Sequence, residues 1–292
     1  MKHLLSMEDL SSEDIHHLIR KAEAIERGDV PEFTKKIFAA NIFLEPSTRT
    51  KNSFVVAERR LGLDVLDISS EDSSLTKGES LYDTVKTLYT ISASLCIVRH
   101  SQNGILREIA NKVEVPIINA GDGTGQHPTQ CLLDLYTIHQ EFGTFEGLKV
   151  AIIGDIKHSR VARSNSEALR KLGAEVYFVS KPEWQDEGIA ETYVSIEEAV
   201  ELADVVMLLR IQHERHDQSS EEQNYLQSYG LTKERESRMN KNSIIMHPGP
   251  FNRGVEIDSD VVDSPKSRIF KQVANGVTMR MAIISELLKE EL

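Results

Sequence analysis

An alternation of apolar, strand-like runs with amphipathic helical segments, repeated in both halves of the chain, constrains the fold most strongly. In the first half, apolar runs predict buried strands at 37–44, 65–68, 95–98 and 115–119. The second half repeats the pattern, with strands predicted at 148–153, 176–179, 204–209 and 243–246. Helices between successive strands predict parallel sheets covered on both faces. We therefore expect an α/β fold with two doubly wound parallel-sheet domains.

The segment Phe142–Gly147 is the strongest candidate for a domain boundary. A length of 292 residues also favours two domains. We expect the first domain at 1–143 and the second at 144–276, and a final helix over 277–292. Parallel sheets of this kind bind ligands beyond the carboxyl ends of their strands.

Composition and charge exclude several classes of function. The net charge of −12 opposes binding to nucleic acid and to anionic membranes. No apolar run approaches the roughly 18 residues that a membrane helix needs, and the first residues predict no secretion signal. Cys96 and Cys131 both lie in apolar surroundings, which favours a reducing cytoplasm over a disulfide framework or a cysteine metal site.

The strand predicted at 37–44 leads into a helix start that is rich in hydroxyl groups. Pro46 ends the strand, and the helix is predicted over 48–61. The residues at its start that could hold an anion are Ser47, Thr48, Arg49 and Thr50. The first amides of a helix lack intrahelical partners and carry partial positive charge, so phosphate or carboxylate could bind here. The alternative is that Ser47 or Thr48 only caps the helix.

Further polar residues follow the other predicted strands. They are Arg99 after 95–98, His127 and Gln130 after 115–119, Arg160 after 148–153, Arg210 and Gln212 after 204–209, and Pro248, Gly249 and Pro250 after 243–246. The planar guanidinium of arginine matches carboxylate and phosphate groups in a bidentate manner. With Arg49, four arginines at the same edge of the sheets predict anionic ligands.

Several familiar motifs are absent from the sequence. There is no P-loop and no G-x-S-x-G segment, and the glycines of Gly121–Gly125 do not have the spacing of a dinucleotide-binding loop. His213 and His216 lie in a polar segment that lacks H-E-x-x-H, so we interpret them as solvated side chains and predict no metal site. Composition alone predicts a mobile surface loop at 69–78.

Taken together, the motifs resemble those of the aspartate/ornithine carbamoyltransferase family. The resemblance rests on Pro46–Thr50, Val98–His100, His127–Gln130 and the downstream arginines, and it covers nearly the whole chain in the same order. Leu209–Gln212 with Glu214-Arg215, Met246–Pro250, and Glu45 before Pro46 are similar to the aspartate branch. The His-Cys-Leu-Pro segment of the ornithine branch is absent, although ornithine or another amino acid remains the alternative acceptor.

The resemblance implies an active site between the two domains and a final helix that packs back on the first domain. Carbamoyl phosphate would bind with its phosphate on Ser47, Thr48, Arg49, Thr50 and Arg99. Thr50, Arg99 and His127 would polarise its carbonyl, so that Arg49, Thr50, Arg99 and His127 form the catalytic set. Gln130 and the Pro248–Pro250 segment would hold its amino group. Arg160 would bind the α-carboxylate of L-aspartate, and Arg210 with Gln212 its side-chain carboxylate.

The family also implies a cyclic homotrimer with shared active sites. Ser73 and Lys77 would reach a neighbouring subunit's site, where Lys77 would contact aspartate, which reverses the interpretation of 69–78 as a mere surface loop. The reaction would need no cofactor, metal or covalent enzyme intermediate, and would serve an early step of de novo pyrimidine biosynthesis. Regulatory chains or other pathway enzymes remain open as partners.

Two positions depart from the family pattern. Lys51 stands where an arginine is usual, and we expect a change in packing or in an ion pair there with intact binding. Val161 lacks a hydroxyl that is sometimes found beside the arginine at position 160.

A non-catalytic anion-binding or scaffold protein is the rival to an enzyme as the function of the whole chain. Such a protein has no reason to keep His127, Gln130 and every arginine together.

Overall fold

The computed structural model describes residues 1–69, 78–123, 125–189, 193–211 and 222–292, without the side chains of 222–224. The chain forms two compact units. The first consists of Met1–Tyr136 and Val273–Leu292, and the second of Thr137–Gln272. Both divisions fall inside helices. The first division, after Tyr136, lies six or seven residues before the boundary that was expected at Phe142–Gly147.

The first unit contains a parallel sheet of four strands. In chain order they are β1 (Phe38–Phe43), β2 (Asp64–Ser69), β3 (Ala93–His100) and β4 (Ile117–Asp122). The helices are α1 (Ser12–Glu26), α2 (Thr48–Arg60), α3 (Leu81–Thr90), α4 (Ile105–Ala110), and parts of α5 (Pro128–Phe142) and α10 (Ile269–Leu287). The strand order is β2-β1-β3-β4. β1 and β3 are central and almost wholly buried, as their continuous apolar runs predict.

The second unit contains another four-stranded parallel sheet, in the order β6-β5-β7-β8. Its strands are β5 (Lys149–Ile153), β6 (Glu175–Val179), β7 (Val205–Leu208) and β8 (Ile244–Met246). Its own helices are α6 (Arg160–Lys171), α7 (Ile196–Leu202), α8 (Glu222–Tyr229) and α9 (Lys233–Arg238). Side chains of β5, β7 and β8 pack with α7 in one buried apolar cluster. The predicted α/β fold of two doubly wound parallel sheets is therefore confirmed.

The first helix is shorter than the periodicity predicts. The sequence pattern predicts a single helix over 7–28, whereas Met7–Asp9 form a 3-10 turn and α1 begins at Ser12. Ser11 explains the break. Its hydroxyl accepts a hydrogen bond from the Asp14 amide, and the Asp14 carboxylate accepts one from the Ser11 amide. This capping box fixes the helix start.

The last helix, α10, begins at Ile269, eight residues before the predicted start at 277, and ends at Leu287. Gly276 lies inside this helix, where a Cβ atom would lie 2.6 Å from Arg280 Nη1, so the position favours glycine. At the other end of α10, Glu286 lies 3.1 Å from Lys21 Nζ of α1, so the C-terminal part of α10 packs on the first unit.

Within the described residues, no helix is long and apolar enough to cross a membrane.

Candidate active site

The order of strands in the first sheet creates a crevice at the carboxyl ends of β1 and β3. From β1 the chain goes to β2 on one side and then crosses to β3 on the other. Ligands bind where the strand order reverses in this way. Phe43 pairs with Arg99 across the crevice, and the Leu44 amide donates to the Arg99 carbonyl at 3.0 Å. The segment after β1 and the end of β3 are therefore direct neighbours.

The start of α2 enters this crevice with its first turn open. Ser47 is in the N-cap position, but among the described residues its side chain accepts no capping hydrogen bond. Ser11, Ser80, Ser159 and Ser195 all make that bond at the starts of their helices. The first intrahelical bond runs from the Lys51 amide to the Ser47 carbonyl at 3.2 Å. The capping interpretation thus holds for position only, and the first amides of the helix face the crevice end of β1.

Arg99 is held at the edge of the sheet by its neighbours. Its Nη1 donates to the Ala120 carbonyl of β4 at 3.2 Å, and its Nε lies 3.4 Å from Glu45 Oε2. The Arg99 side chain is only 12% exposed. These contacts restrict the guanidinium to the carboxyl ends of β1, β3 and β4, beside the start of α2.

His127 and Gln130 follow β4 and form the start of α5. Asp122 shapes the intervening loop, because its carboxylate accepts the Gly104 amide at 3.0 Å and the Gln126 amide at 2.8 Å. The His127 carbonyl accepts the Gln130 amide at 3.0 Å, which places both residues in one turn. Both side chains are buried. The Gln130 Nε2 donates to Asp134 Oδ1 at 2.9 Å.

The first unit therefore brings one predicted set of residues to one sheet edge. The set consists of Ser47, Thr48, Arg49, Thr50, Arg99, His127 and Gln130. The exposed Thr48 and Arg49 lie beside the nearly buried Thr50. Hydroxyls, helix amides and two guanidinium groups at one place form a cationic site in a protein whose net charge is negative.

The second sheet has its own reversal of strand order, between β5 and β7. Arg160 is the first residue of α6, which follows β5, and Arg210 stands two residues after β7. Gly154 lets the two loops approach closely, because a Cβ atom there would lie 2.8 Å from the Leu209 Cβ. The two arginines of the second unit thus follow neighbouring strands at the position where such sheets bind ligands.

The Pro248–Pro250 segment, which follows β8, is fixed by the buried His247. The His247 Nδ1 accepts the Gly249 amide at 2.9 Å, so the ring proton lies on Nε2, which donates to Glu256 Oε1 at 3.1 Å. Glu256 Oε1 also accepts the Asn252 amide at 2.6 Å. Asn252 Nδ2 in turn donates to the Ile211 carbonyl at 3.0 Å, which ties this segment to the residues that follow β7.

Comparison with known families identifies both halves of the chain. The carbamoyl-P binding domain of the aspartate/ornithine carbamoyltransferases matches residues 2–140, and the Asp/Orn binding domain of the same family matches residues 146–287. The chain belongs to the aspartate/ornithine carbamoyltransferase family. The family predicted from the motifs is therefore confirmed, and with it the enzyme class, a carbamoyltransferase.

Solved structures of aspartate transcarbamoylases match over almost their whole length. The catalytic subunit of the M. jannaschii enzyme is 38% identical, with 99% of each chain covered and a TM-score of 0.89. The Trypanosoma cruzi enzyme in complex with carbamoyl phosphate and aspartate is 32% identical, with 97% of this chain and 95% of that chain covered and a TM-score of 0.85. The same enzyme with N-(phosphonacetyl)-L-aspartic acid is 31% identical, with 97% and 94% covered and a TM-score of 0.86.

Three of the residues predicted to bind ligand in this family member lie outside the described part of the chain. They are Ser73, Lys77 and Gln212.

Lys51, which departs from the family pattern, forms an ion pair with β2, because Lys51 Nζ lies 2.7 Å from Asp67 Oδ1. Val161 is half-buried in the first turn of α6, directly after Arg160.

Sequence reasoning missed the residues that support the carbamoyltransferase site. Glu45 and Asp122 shape the surroundings of Arg99 and His127, and Glu256 orients His247. His247 was part of a quoted motif, but nothing marked Glu256. Asp134 had a detectable signal, since it lies four residues after Gln130 on a predicted helix and so shares its face.

Proposed function

We propose that this chain is an aspartate carbamoyltransferase. It transfers the carbamoyl group of carbamoyl phosphate to the amino group of L-aspartate, giving N-carbamoyl-L-aspartate and phosphate, an early step of de novo pyrimidine biosynthesis. The observation that carries the proposal is what lies at the two strand-order reversals. In the first sheet these are Arg49, Arg99 and the start of α2, and in the second sheet they are Arg160 and Arg210. This suits one phosphate donor and one dicarboxylate acceptor.

In this proposal the phosphate of carbamoyl phosphate binds at the start of α2. The amides of the first turn and the hydroxyls of Ser47, Thr48 and Thr50 donate hydrogen bonds, and Arg49 and Arg99 neutralise its charge. The open first turn and the uncapped Ser47 support this assignment. Arg99 is already restricted by Ala120 and Glu45, so little freedom is lost when the ligand binds.

Thr50, Arg99 and His127 polarise the carbonyl oxygen in the proposed mechanism. The amino nitrogen of aspartate attacks the carbonyl carbon, and negative charge develops on the oxygen of the tetrahedral intermediate. Hydrogen-bond donors fixed before the reaction stabilise that charge. The carbon–oxygen bond to phosphate then breaks, the amine loses a proton, and phosphate leaves. The proposed contribution of the protein is mainly positioning and electrostatics.

The amino group of carbamoyl phosphate is held by acceptors. We assign this role to Gln130 and to the backbone of Pro248, Gly249 and Pro250. The hydrogen bond from the Gly249 amide to His247 Nδ1, and the one from His247 Nε2 to Glu256, support a fixed geometry for that backbone.

The acceptor amino acid is assigned to the second unit. Arg160 binds the α-carboxylate of aspartate, and Arg210 binds the side-chain carboxylate with Gln212. Lys77 adds a third contact. Ornithine carries a cationic side chain, which Arg210 would repel. The matched complexes of aspartate transcarbamoylase with aspartate support the same choice.

The proposal includes a homotrimer in the cytoplasm. The segment with Ser73 and Lys77 completes the active site of a neighbouring subunit, as the family resemblance implies. The two cysteines, Cys96 and Cys131, are free and buried, which suits a reducing compartment.

A turnover assay tests the proposed function. Purified protein is given carbamoyl phosphate with either L-aspartate or L-ornithine, and the carbamoylated amino acid is quantified. We expect carbamoyl aspartate only, and Arg49→Ala as control should lower the rate by at least about a hundredfold, since a phosphate contact is lost. Carbamoylation of ornithine instead would refute the choice of acceptor.

A second variant tests which substrate each unit binds. Arg210→Ala should raise the aspartate KM about a hundredfold, because one bidentate carboxylate contact is lost, and should leave carbamoyl phosphate binding unchanged. Arg210→Lys keeps the charge without the fork and should lie between the two. Equal weakening of both substrates by Arg210→Ala would show that the assignment is wrong.

A further inference from the structure

Gln130 has a buried carboxylate partner on its own helix. Asp134 lies on α5 one turn after Gln130 and is completely buried. The Gln130 Nε2 donates to Asp134 Oδ1 at 2.9 Å. Pairs of this kind at positions i and i+4 of a helix form readily. The pair lies wholly within the first unit.

Asp134 decides which end of the Gln130 carboxamide faces outward. A carboxylate can only accept hydrogen bonds, so the amide nitrogen of Gln130 must point to it. The carboxamide oxygen is then directed away from Asp134. With a neutral partner that both donates and accepts, either end of the carboxamide could face that partner. The charge of Asp134 therefore fixes an orientation that sterics alone do not fix.

Arg280 of α10 is a second buried charged residue of the first unit. Its side chain is buried, with 2% exposure, and its Nη1 donates to the Ser53 hydroxyl of α2 at 3.0 Å and to the Gly276 carbonyl at 2.9 Å. Its guanidinium lies 4.9 Å from the centre of the Phe54 ring. Burial lowers the pKa of Arg280 to about 10, and the negative charge of Asp134 opposes that effect. Each buried charge therefore depends on the other.

We propose that Asp134 is a positioning and specificity-determining residue, which turns the Gln130 carboxamide so that its oxygen accepts a hydrogen bond from the amino group of carbamoyl phosphate. The proposal rests on the role given to Gln130 in the proposed function.

The arrangement distinguishes an amino group from a methyl group on the carbonyl carbon. Acetyl phosphate has the same phosphate and carbonyl as carbamoyl phosphate, but its methyl group donates no hydrogen bond to Gln130. If the carboxamide were turned around, its NH2 would face the NH2 of carbamoyl phosphate, and two donors would oppose each other. The two acyl phosphates are therefore matched probes for the orientation of Gln130.

The test compares the dissociation constants of both acyl phosphates by calorimetry, without aspartate, in four proteins. These are the wild type, Asp134→Asn, Gln130→Ala and the double variant. Asparagine keeps the shape of aspartate but can also donate, so Gln130 can turn. We expect Asp134→Asn to weaken carbamoyl phosphate about tenfold, as for loss of one hydrogen bond with an opposed donor, and acetyl phosphate less than about twofold. In the Gln130→Ala background, Asp134→Asn should have no further effect.

Three results would overturn the inference. Equal weakening of both ligands by Asp134→Asn would indicate a general structural role, as would additive losses in the double variant. Wild-type discrimination in Asp134→Asn, with Gln130→Ala impaired, would refute the inference alone. If Gln130→Ala binds carbamoyl phosphate as the wild type does, the role of Gln130 in the proposed function is also wrong.

A second variant keeps the test valid if Asp134→Asn alone does not fold, since it leaves Arg280 as an uncompensated buried charge. Asp134→Asn combined with Arg280→Met removes both charges and keeps an apolar stem against Phe54. Thermal unfolding should show recovered stability in this variant. We expect it to lack discrimination between the two acyl phosphates, and retained discrimination would refute the inference.

Discussion

At the residue scale, a pair of buried polar residues below α2 illustrates how the stability of the protein can depend on a single proton. Asn41 of β1 donates from Nδ2 to Glu58 Oε2 of α2 at 2.9 Å, and both side chains are completely buried. Asn41 Oδ1 and Glu58 Oε1 have no hydrogen-bond partner among the described residues. A proton on the Glu58 carboxyl would donate to Asn41 and complete a two-bond acid–amide pair. Burial raises the pKa of Glu58 to about 7, with Asp67 adding to the increase and Asn41 and Arg59 opposing it.

We predict that this pair makes the protein less stable as the pH rises through about 7. A raised pKa means that the folded state binds the proton more tightly than the unfolded state, so the stabilisation is complete below the ordinary pKa of about 4.5 and disappears above about 7. The free energy of unfolding from urea titrations should fall by up to about 3 kcal/mol between pH 4.5 and 8.5.

Glu58→Gln is the matched control, because an amide–amide pair preserves both hydrogen bonds without a titrating group. The variant should lose this part of the pH dependence and be more stable than the wild type at pH 8.5. An unchanged slope in Glu58→Gln would mean that another group titrates.

The starts of helices show, at the element scale, that one residue type has two uses. Ser11 accepts the Asp14 amide at 3.1 Å and fixes the start of α1. Ser47 has the same position at the start of α2 but makes no such bond within the described residues. The sequence alone could not separate these cases, since either serine precedes a helical stripe. The difference lies in the backbone, because Ser47 has a ψ of 87° where Ser11 has 164°.

We expect substitution of these two serines to have opposite consequences. Ser11→Ala should lower the free energy of unfolding by about 1 kcal/mol and leave the carbamoyl phosphate KM unchanged, because only a cap is lost. Ser47→Ala should change stability by less than about 0.5 kcal/mol and raise that KM about tenfold, because a phosphate contact is lost. Urea unfolding and steady-state kinetics measure both. Destabilisation of about 1 kcal/mol by Ser47→Ala would restore the capping interpretation.

At the scale of the whole molecule, the proposed trimer shares its active sites between neighbouring subunits. If Ser73 and Lys77 complete a neighbouring site, two inactive variants should restore activity when their subunits mix. We predict that Lys77→Ala and Arg99→Ala are each nearly inactive as trimers. After dissociation and reassociation together, some mixed trimers contain one site with neither substitution, and activity should return to between about a tenth and a third of the wild type.

Sedimentation equilibrium provides the control for this experiment, since it should give a trimer for each variant and for the mixture. A mixture that stays inactive although the subunits exchange would show that each chain supplies its own site.

The strands and the order of the motifs were predictable, because both are local. All eight predicted strands are present within a few residues of their expected bounds. The residues expected at strand ends, among those the structure describes, are at strand ends. The helix ends were less predictable, as α10 shows, since it begins eight residues before the predicted start and has Gly276 in its interior.

By itself, the sequence determined the α/β class, the two sheets and the family, because hydrophobic periodicity and motif order are written in neighbouring residues. Only the tertiary structure decided which strand ends are adjacent, since β1 could have paired with other strands than β2 and β3. It also brought the buried Arg280 of α10 to Ser53 of α2, which lies 227 residues away in sequence. Hydrogen bonds between distant residues depend on packing geometry, which no local pattern specifies.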